Sequence, residues 1–239
     1  MDEPLSQDRL VGALRAAAAH GGIATPEFIA AVLVDGDDDL AAWAIGQALE
    51  EQPRALVFDE VVRRAMEIVG SAWESGRWSI SQEHLATGAL MGALARLRPG
   101  PSDEARLGPV AVLAAPEGEQ HVTGLTCLAQ ILEGHGWRVE NLGANVPGED
   151  LQRFVAGREV DLVALSIVSA DRVPELIRTV RLLRSASGRP EPLPIIVGGR
   201  GVAGIEREIP DVDHVGPSLG EAEEYVAALG ARLGLPPDR

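Results

Sequence analysis

Beyond residue 108, short apolar runs alternate with helical patterns, and this alternation restricts the fold more than any other feature of the sequence. Five runs have the length and composition of strands: VAVLAA, WRVENLG, DLVALSIV, LPIIVGG and DHVGP. Patterns with helical spacing, such as LTCLAQILEGHG and VPELIRTVRLLRSA, separate them. Neighbouring parallel strands need crossover connections, so this alternation predicts a parallel sheet covered by helices on both faces. We therefore predict a five-stranded, doubly wound, flavodoxin-like α/β domain over residues 108–235.

The preceding residues have only helical patterns. The clearest apolar stripe, with intervals of three and four, consists of Phe58, Val62, Met66, Val69 and Trp73. Ser79 and Gln82 form a capping-box pattern, which predicts a helix that begins just before Glu83. The segment RPGPSDEARLG over 98–108 is rich in proline, glycine and charge, which is typical of a linker. We predict a helical bundle over 1–98, with SQDRLVGALRAAAAH as an additional first helix whose role is open.

Composition excludes several classes of function. The formal charge of −15 opposes contact with a phosphate backbone, so direct nucleic-acid binding is not expected. All 21 basic residues are arginine, and without lysine neither a Walker-type phosphate site nor a Schiff-base cofactor is possible. The single cysteine, Cys127, cannot form an internal disulfide or a cysteine-based zinc site. Because the sequence has neither a long apolar run nor a secretory signal, we expect a cytoplasmic protein without a membrane partner.

The loop PEGEQHVTG after the first predicted strand carries His121. In doubly wound sheets ligands bind beyond the carboxyl ends of the strands, so this loop borders the expected crevice. Glu119 is placed to accept the second imidazole N–H, an arrangement that orients metal-binding histidines. One histidine is too few for a zinc site, so the metal would bring most of its own ligands, as a macrocyclic cofactor does. The alternative is a surface histidine beside a helix start.

Three segments of the second half together resemble the cobalamin-binding domain family. The family patterns Asp-x-His-x-x-Gly, Ser-x-Leu and Gly-Gly correspond to Glu119-x-His121-x-x-Gly124, Ser166-Ile167-Val168 and Gly198-Gly199. The resemblance implies that His121 replaces dimethylbenzimidazole as the lower axial ligand of cobalt. It implies that the Ser166 hydroxyl bonds the displaced benzimidazole, and that Gly198 and Gly199 leave room for its ring.

The helical half resembles the bundle of CarH-type B12 photoreceptors from about Pro26 to Leu97. Trp73, nine intervening residues and Glu83-His84 match the Trp-x9-Glu-His signature of that group. The resemblance implies that Trp73 lies over the cobalt beside the adenosyl group of adenosylcobalamin, while Glu83 and His84 line the adenosyl pocket. From the residues alone, the alternatives are core packing for Trp73 and a solvated helix-start charge for Glu83.

Three positions depart from these family patterns. Glu119 replaces aspartate and reaches farther to the same nitrogen, and Val168 replaces leucine. Glu74 stands where many CarH-type proteins have a histidine that binds cobalt after illumination. The ligand after illumination therefore stays open between His84 and water. Trp78 has no assigned role, and we expect His20, His135 and His214 to be structural or solvent-facing.

The resemblance implies a light sensor and not an enzyme. Adenosylcobalamin would bind base-off and His-on between the bundle and the α/β domain, and photolysis of its cobalt–carbon bond would drive a conformational or oligomeric change. About 25 residues precede the bundle, too few for the DNA-binding domain of CarH, so we expect a homo-oligomer or a separate regulatory protein to carry the output.

Several other functions remain open. A corrinoid methyl carrier is the first alternative, because it shares every residue below the corrin. A photocobilin-type sensor, which adds biliverdin, is the second, and a storage module is the third. A mutase subunit would need a barrel for its substrate, and no such sequence is present.

Overall fold

The computed structural model describes residues 22–99, 108–185 and 192–236, together with Gly12 and Ala17. The chain divides into two compact units, Met1–Arg98 and Pro99–Arg239. Apart from Gly12 and Ala17, the predicted first helix lies outside the described residues, as do most of the predicted linker and His20. None of the described helices is long and apolar enough to cross a membrane.

The first unit is helical. Its helices are α1 (Pro26–Val34), α2 (Asp38–Glu51), α3 (Arg54–Val57), α4 (Arg64–Glu74) and α5 (Ile80–Arg96). Side chains of Thr25, Asp37 and Ser79 accept backbone N–H groups at the starts of α1, α2 and α5. These bonds satisfy donors that a helix leaves free in its first turn. The capping box of Ser79 and Gln82 is confirmed, although α5 begins at Ile80, directly after the cap and three residues before Glu83.

The predicted amphipathic helix over 58–73 is only partly confirmed. Phe58, Val62 and Val69 are buried, but a π-helical segment, Phe58–Arg63, joins α3 to α4 in place of a continuous α-helix. Apolar residues spaced by three and four positions are compatible with a short π-helical segment as well as with an α-helix, so the sequence did not indicate the π-helical segment. Trp73 lies in the last turn of α4 and is 44% exposed, so the buried stripe ends before it.

The second unit is the predicted α/β fold. Its strands are β1 (Val110–Ala114), β2 (Arg138–Asn141), β3 (Leu162–Ser166), β4 (Ile195–Gly198) and β5 (His214–Gly216). They form one parallel sheet in the order β2-β1-β3-β4-β5, the flavodoxin-like order. All five predicted strands are present. Three crossovers contain an α-helix: α6 (Thr123–Gly134) follows β1, α7 (Gly148–Ala156) follows β2 and α8 (Val173–Ser185) follows β3. A fourth helix, α9 (Leu219–Arg232), follows β5.

Two apolar cores, one on each face, hold the sheet. Residues of α7 and α8, including Leu151 and Val180, pack on one face, while Leu128 of α6 and Val226 of α9 pack on the other. Because both faces are covered, every residue of β1 and β3 is buried, which explains their unbroken apolar sequences. The strand order reverses its winding at β1 and β3, and the loops that follow these two strands form the candidate site.

Candidate functional site

Glu119 and His121 form a carboxylate–imidazole pair in the loop after β1. Glu119 Oε1 lies 2.6 Å from His121 Nδ1, so the predicted contact is present. The Glu119 side chain is 2% exposed, whereas that of His121 is 63% exposed. The carboxylate therefore holds Nδ1 and leaves Nε2 as the ring nitrogen available to a ligand.

Backbone N–H groups from two loops hold the Glu119 carboxylate in place. Oε1 accepts the His121 N–H at 3.0 Å, and Oε2 accepts those of Val168 at 2.8 Å and Ser169 at 3.3 Å. Burial raises the pKa of Glu119, but these bonds and the His121 side chain outweigh it and lower that pKa below its ordinary value. Glu119 is thus a buried, ionised acceptor that links the loops after β1 and β3.

Replacing Glu119 with glutamine is expected to destabilise the α/β unit by about 1–3 kcal/mol at pH 7. Glutamine has one acceptor oxygen, so its amide N–H group would face a backbone donor. Urea unfolding followed by circular dichroism measures this loss, with Glu117→Gln as the matched control, because Glu117 is an exposed carboxylate of the same loop. Equal stability of the two variants would contradict this assignment.

The stability difference between the unmodified protein and Glu119→Gln is expected to depend on pH, and urea unfolding at a series of pH values measures it. Because folding lowers the pKa of Glu119, its stabilising effect is complete above the ordinary value of 4.5 and is lost as pH falls through the folded-state pKa. The stability difference between the unmodified protein and Glu119→Gln should therefore shrink below about pH 4.5.

Ser166, Gly124 and Gly199 meet at the carboxyl edge of the sheet. A Cβ built on Gly124 would lie 3.6 Å from Ser166 Oγ, and one built on Gly199 would lie 3.0 Å from it. Ser166 is buried, and its hydroxyl adjoins both positions. The site therefore combines a hydroxyl with two positions that have no side chain, which suits a flat ring that carries an acceptor nitrogen.

The two glycines that end β4 have different surroundings. Gly199 has a φ of +95°, and a Cβ there would lie only 2.3 Å from Ile167 O. Gly198 pairs with Ser166 in register, but its Cβ position faces Gly216 O of β5 at 3.1 Å. Close strand packing thus accounts for Gly198, whereas Gly199 adjoins the Ser166 hydroxyl.

The predicted residues of the helical unit form a second group. On α5, Glu83 Oε2 lies 2.5 Å from His84 Nδ1, and Thr87 Oγ1 donates to Glu83 Oε1 at 3.1 Å. Trp73 precedes the turn that joins α4 to α5. No hydrogen bond or ring contact among the described residues joins Trp73 to Glu83 or His84. Trp78 has the Arg77 guanidinium 5.3 Å from its ring centre, so it has a packing partner of its own.

The remaining described histidines have structural contacts. His135 Nε2 lies 3.0 Å from Glu223 Oε1 and links the end of α6 to α9. The His214 ring stacks on Tyr225 with 5.3 Å between ring centres. Within residues 22–99, 108–185 and 192–236 no cluster of three or more His, Cys, Asp or Glu could hold a metal ion. A metal at His121 would have to bring its other ligands, as a corrin does.

Sequence reasoning missed Asn145, in the loop after β2. Its Oδ1 accepts the Gly118 N–H at 2.7 Å, and its own N–H donates to Glu119 O at 2.9 Å. Arg172 also packs against Gly118, since a Cβ at Gly118 would lie 2.5 Å from Arg172 Nη1. An asparagine in the glycine-containing turn LGAN could have indicated a left-handed residue, but not its partner in another loop.

Comparison with known proteins identifies both halves of the chain. Residues 109–230 match a family described as a B12 binding domain, and residues 27–98 match a second family with the same description. The HTH-type transcriptional repressor CarH of Myxococcus xanthus is 35% identical over 164 residues, which are 68% of this chain and 53% of the repressor. The chain thus spans about half the length of that relative.

Corrinoid proteins are more distant relatives. Dimethylamine corrinoid protein 1 of Methanosarcina acetivorans is 23% identical over 174 residues, 72% of this chain and 81% of that protein. The structure of the Methanosarcina barkeri monomethylamine corrinoid protein superposes with a TM-score of 0.67 at 20% identity, over 85% of this chain and 96% of that one. These matches confirm the predicted fold, a helical region followed by a Rossmann-like B12-binding domain.

Proposed function

Because the chain belongs to the B12 binding domain family, we propose that it is a light sensor that holds adenosylcobalamin with His121 as the lower ligand of cobalt. The observation that carries cobalt coordination is the Glu119–His121 pair, in which a buried carboxylate holds Nδ1 and an exposed ring presents Nε2. The 35% identity with the repressor CarH is what favours a sensor. Cobalamin binding itself follows from family membership. The relatives compared above are a repressor and corrinoid proteins, so the chain alone is not expected to be catalytic.

The α/β unit would bind the lower part of the cofactor. His121 would coordinate cobalt, with Glu119 fixing the tautomer and the orientation of the imidazole. The Ser166 hydroxyl would donate to the benzimidazole nitrogen of the nucleotide tail. Gly124 and Gly199 leave the space that the flat ring of the tail needs beside that hydroxyl.

The helical unit would bind the upper part. When bound, adenosylcobalamin supplies a cobalt–carbon bond that visible light breaks. Trp73 is exposed and is not needed for the core, so its indole is free to pack on a nucleoside. Glu83 lies on the next helix and would accept hydrogen bonds from ribose hydroxyls, while it also orients His84.

A corrinoid methyl carrier is the second candidate. It would use the same residues below the corrin and would need only an apolar lid above it. Exposed Ile80 and Leu85 on α5 would suit such a lid, and the similarity to dimethylamine corrinoid protein 1 favours this candidate. No feature of the described residues favours biliverdin as an additional ligand.

A light experiment distinguishes the two candidates. The purified chain is loaded in darkness with adenosylcobalamin or methylcobalamin, and its absorption spectrum and size-exclusion profile are recorded before and after green light. The sensor proposal expects preference for the adenosyl form and a change of elution volume after illumination. A protein that prefers methylcobalamin and keeps its elution volume would favour the carrier.

Replacing Trp73 with alanine tests whether this residue contacts the adenosyl group. We expect the ratio of adenosylcobalamin to methylcobalamin affinity to fall about fivefold, because the indole would pack on the adenosyl group, which methylcobalamin lacks. Leu56→Ala is the matched control, since Leu56 belongs to the same unit and is as exposed as Trp73. An unchanged ratio in Trp73→Ala would contradict the role given to Trp73.

A further inference from the structure

Besides the bonds from Val168 and Ser169, the loop that carries Glu119 and His121 is held by Asn145 of the loop after β2. We propose that Asn145 is a positioning residue for the cobalt ligand, and this inference rests on the proposed coordination by His121. The exposed side chain of Asn145 has no role in either apolar core. Its side chain and its backbone N–H instead bond Gly118 and Glu119, which directly precede Gln120 and His121.

Asn145 holds consecutive residues of the His121 loop through two different groups. Its side-chain Oδ1 accepts the Gly118 N–H at 2.7 Å, and its backbone N–H donates to Glu119 O at 2.9 Å. The Glu119 N–H in turn donates to Pro116 O at 2.9 Å. Both backbone groups of Glu119 are therefore bonded, one within its own loop and one to Asn145.

The conformation of Asn145 makes this double contact possible. The pairing of β1 with β2 continues past the strands, because Ala115 N donates to Gly143 O at 2.8 Å and Val146 N donates to Ala115 O at 2.9 Å. Between these bonds the chain turns at Asn145, which has a φ of +57°. Asparagine is one of the few residues with a side chain that adopts this left-handed conformation readily.

The position of Glu119 decides the orientation of His121. Glu119 Oε1 contacts both the His121 N–H and Nδ1, so a shift of the Glu119 backbone would move both contacts. Gly118 has a φ of +83°, and Arg172 packs against this turn, with Nη1 2.5 Å from the Gly118 Cβ position. Val168 and Ser169 hold the Glu119 carboxylate, and Asn145 adds, from the loop after β2, a restraint on the backbone that carries it.

Four variants test the proposal, with adenosylcobalamin as the ligand in darkness. Asn145→Gly keeps the left-handed backbone but removes Oδ1, Asn145→Ala also strains the backbone, and Asn145→Asp keeps both an acceptor and the conformation. Asn141→Ala is the matched control, because Asn141 Oδ1 accepts the Gly143 N–H at 3.0 Å within the same segment and does not reach the His121 loop. Affinity is measured by absorption titration. The chain is produced with ¹⁵N-labelled histidine, and bound adenosylcobalamin is photolysed without oxygen to cob(II)alamin. The histidine-ligated fraction of cobalt is then measured from the twofold splitting in the electron paramagnetic resonance spectrum.

We expect Asn145→Gly and Asn145→Ala to bind about tenfold more weakly and to show a smaller histidine-ligated fraction, as is usual when the group behind a metal ligand is lost. Asn145→Asp should restore both measurements, and Asn141→Ala should match the unmodified protein. The proposal would be overturned if Asn145→Gly behaved like Asn141→Ala, or if Asn145→Asp failed to restore ligation. If His121→Ala kept the same histidine-ligated fraction, the proposed function would fail instead.

Discussion

Replacing His121 with alanine is expected to weaken cobalamin binding on the order of 100-fold. Losing only the group behind a metal ligand costs roughly 10- to 100-fold in affinity, and losing the ligand itself should cost at least as much. His121 presents Nε2 from a 63% exposed ring, and the described residues hold no cluster of three metal-binding side chains that could replace it. The absorption spectrum should lose the features of imidazole-ligated cobalt, and added imidazole should restore them.

His135→Ala is the control for that experiment. His135 also contacts a glutamate, Glu223, but it joins α6 to α9 and is not part of the loop after β1. Its removal should leave both corrin affinity and the spectrum unchanged. Equal behaviour of His121→Ala and His135→Ala would contradict coordination by His121.

Replacing Gly199 with alanine is expected to have the second largest effect. The new Cβ would lie 2.3 Å from Ile167 O and 3.0 Å from Ser166 Oγ, at a φ of +95°. We expect the free energy of unfolding to fall by about 2–4 kcal/mol, from backbone strain and overpacking together. Cobalamin that retains its nucleotide tail should also bind more weakly, because Ile167 and Ser166 would have to shift.

Gly204→Ala is the control for Gly199→Ala, because it introduces the backbone strain of a positive φ without a steric clash. Gly204 has a φ of +82°, but nothing lies within 4 Å of its Cβ position. Alanine there should cost only about 1 kcal/mol from backbone strain and should not affect cobalamin binding. Urea unfolding and absorption titration of both variants measure the difference. Equal losses in the two variants would show that the space beside Ser166 has no special importance.

The fold was predictable because each relevant signal is local. Apolar runs such as VAVLAA and DLVALSIV indicated strands buried on both faces, and the capping box of Ser79 and Gln82 indicated the start of α5. The contact between Glu119 and His121 was predictable for the same reason, since the two residues are neighbours in one loop.

Features that depend on tertiary contacts were not predictable. The bonds from Val168 and Ser169 to Glu119 span 49 and 50 residues, and Asn145 reaches Gly118 across 27. The proximity of the Ser166 hydroxyl to Gly124 and the crowding at Gly199 also depend on where separate loops meet. The π-helical segment Phe58–Arg63 has no periodic signature distinct from an α-helix.

The most direct test of the central claim identifies the atom that coordinates cobalt. The chain is produced with ¹⁵N-labelled histidine, loaded with unlabelled cobalamin and reduced to cob(II)alamin. If His121 is the axial ligand, each cobalt line of the electron paramagnetic resonance spectrum should split into two, because ¹⁵N has nuclear spin one-half, and His121→Ala should abolish that splitting. A threefold splitting in the labelled protein would show that the ¹⁴N of dimethylbenzimidazole remains bound, and would contradict the account.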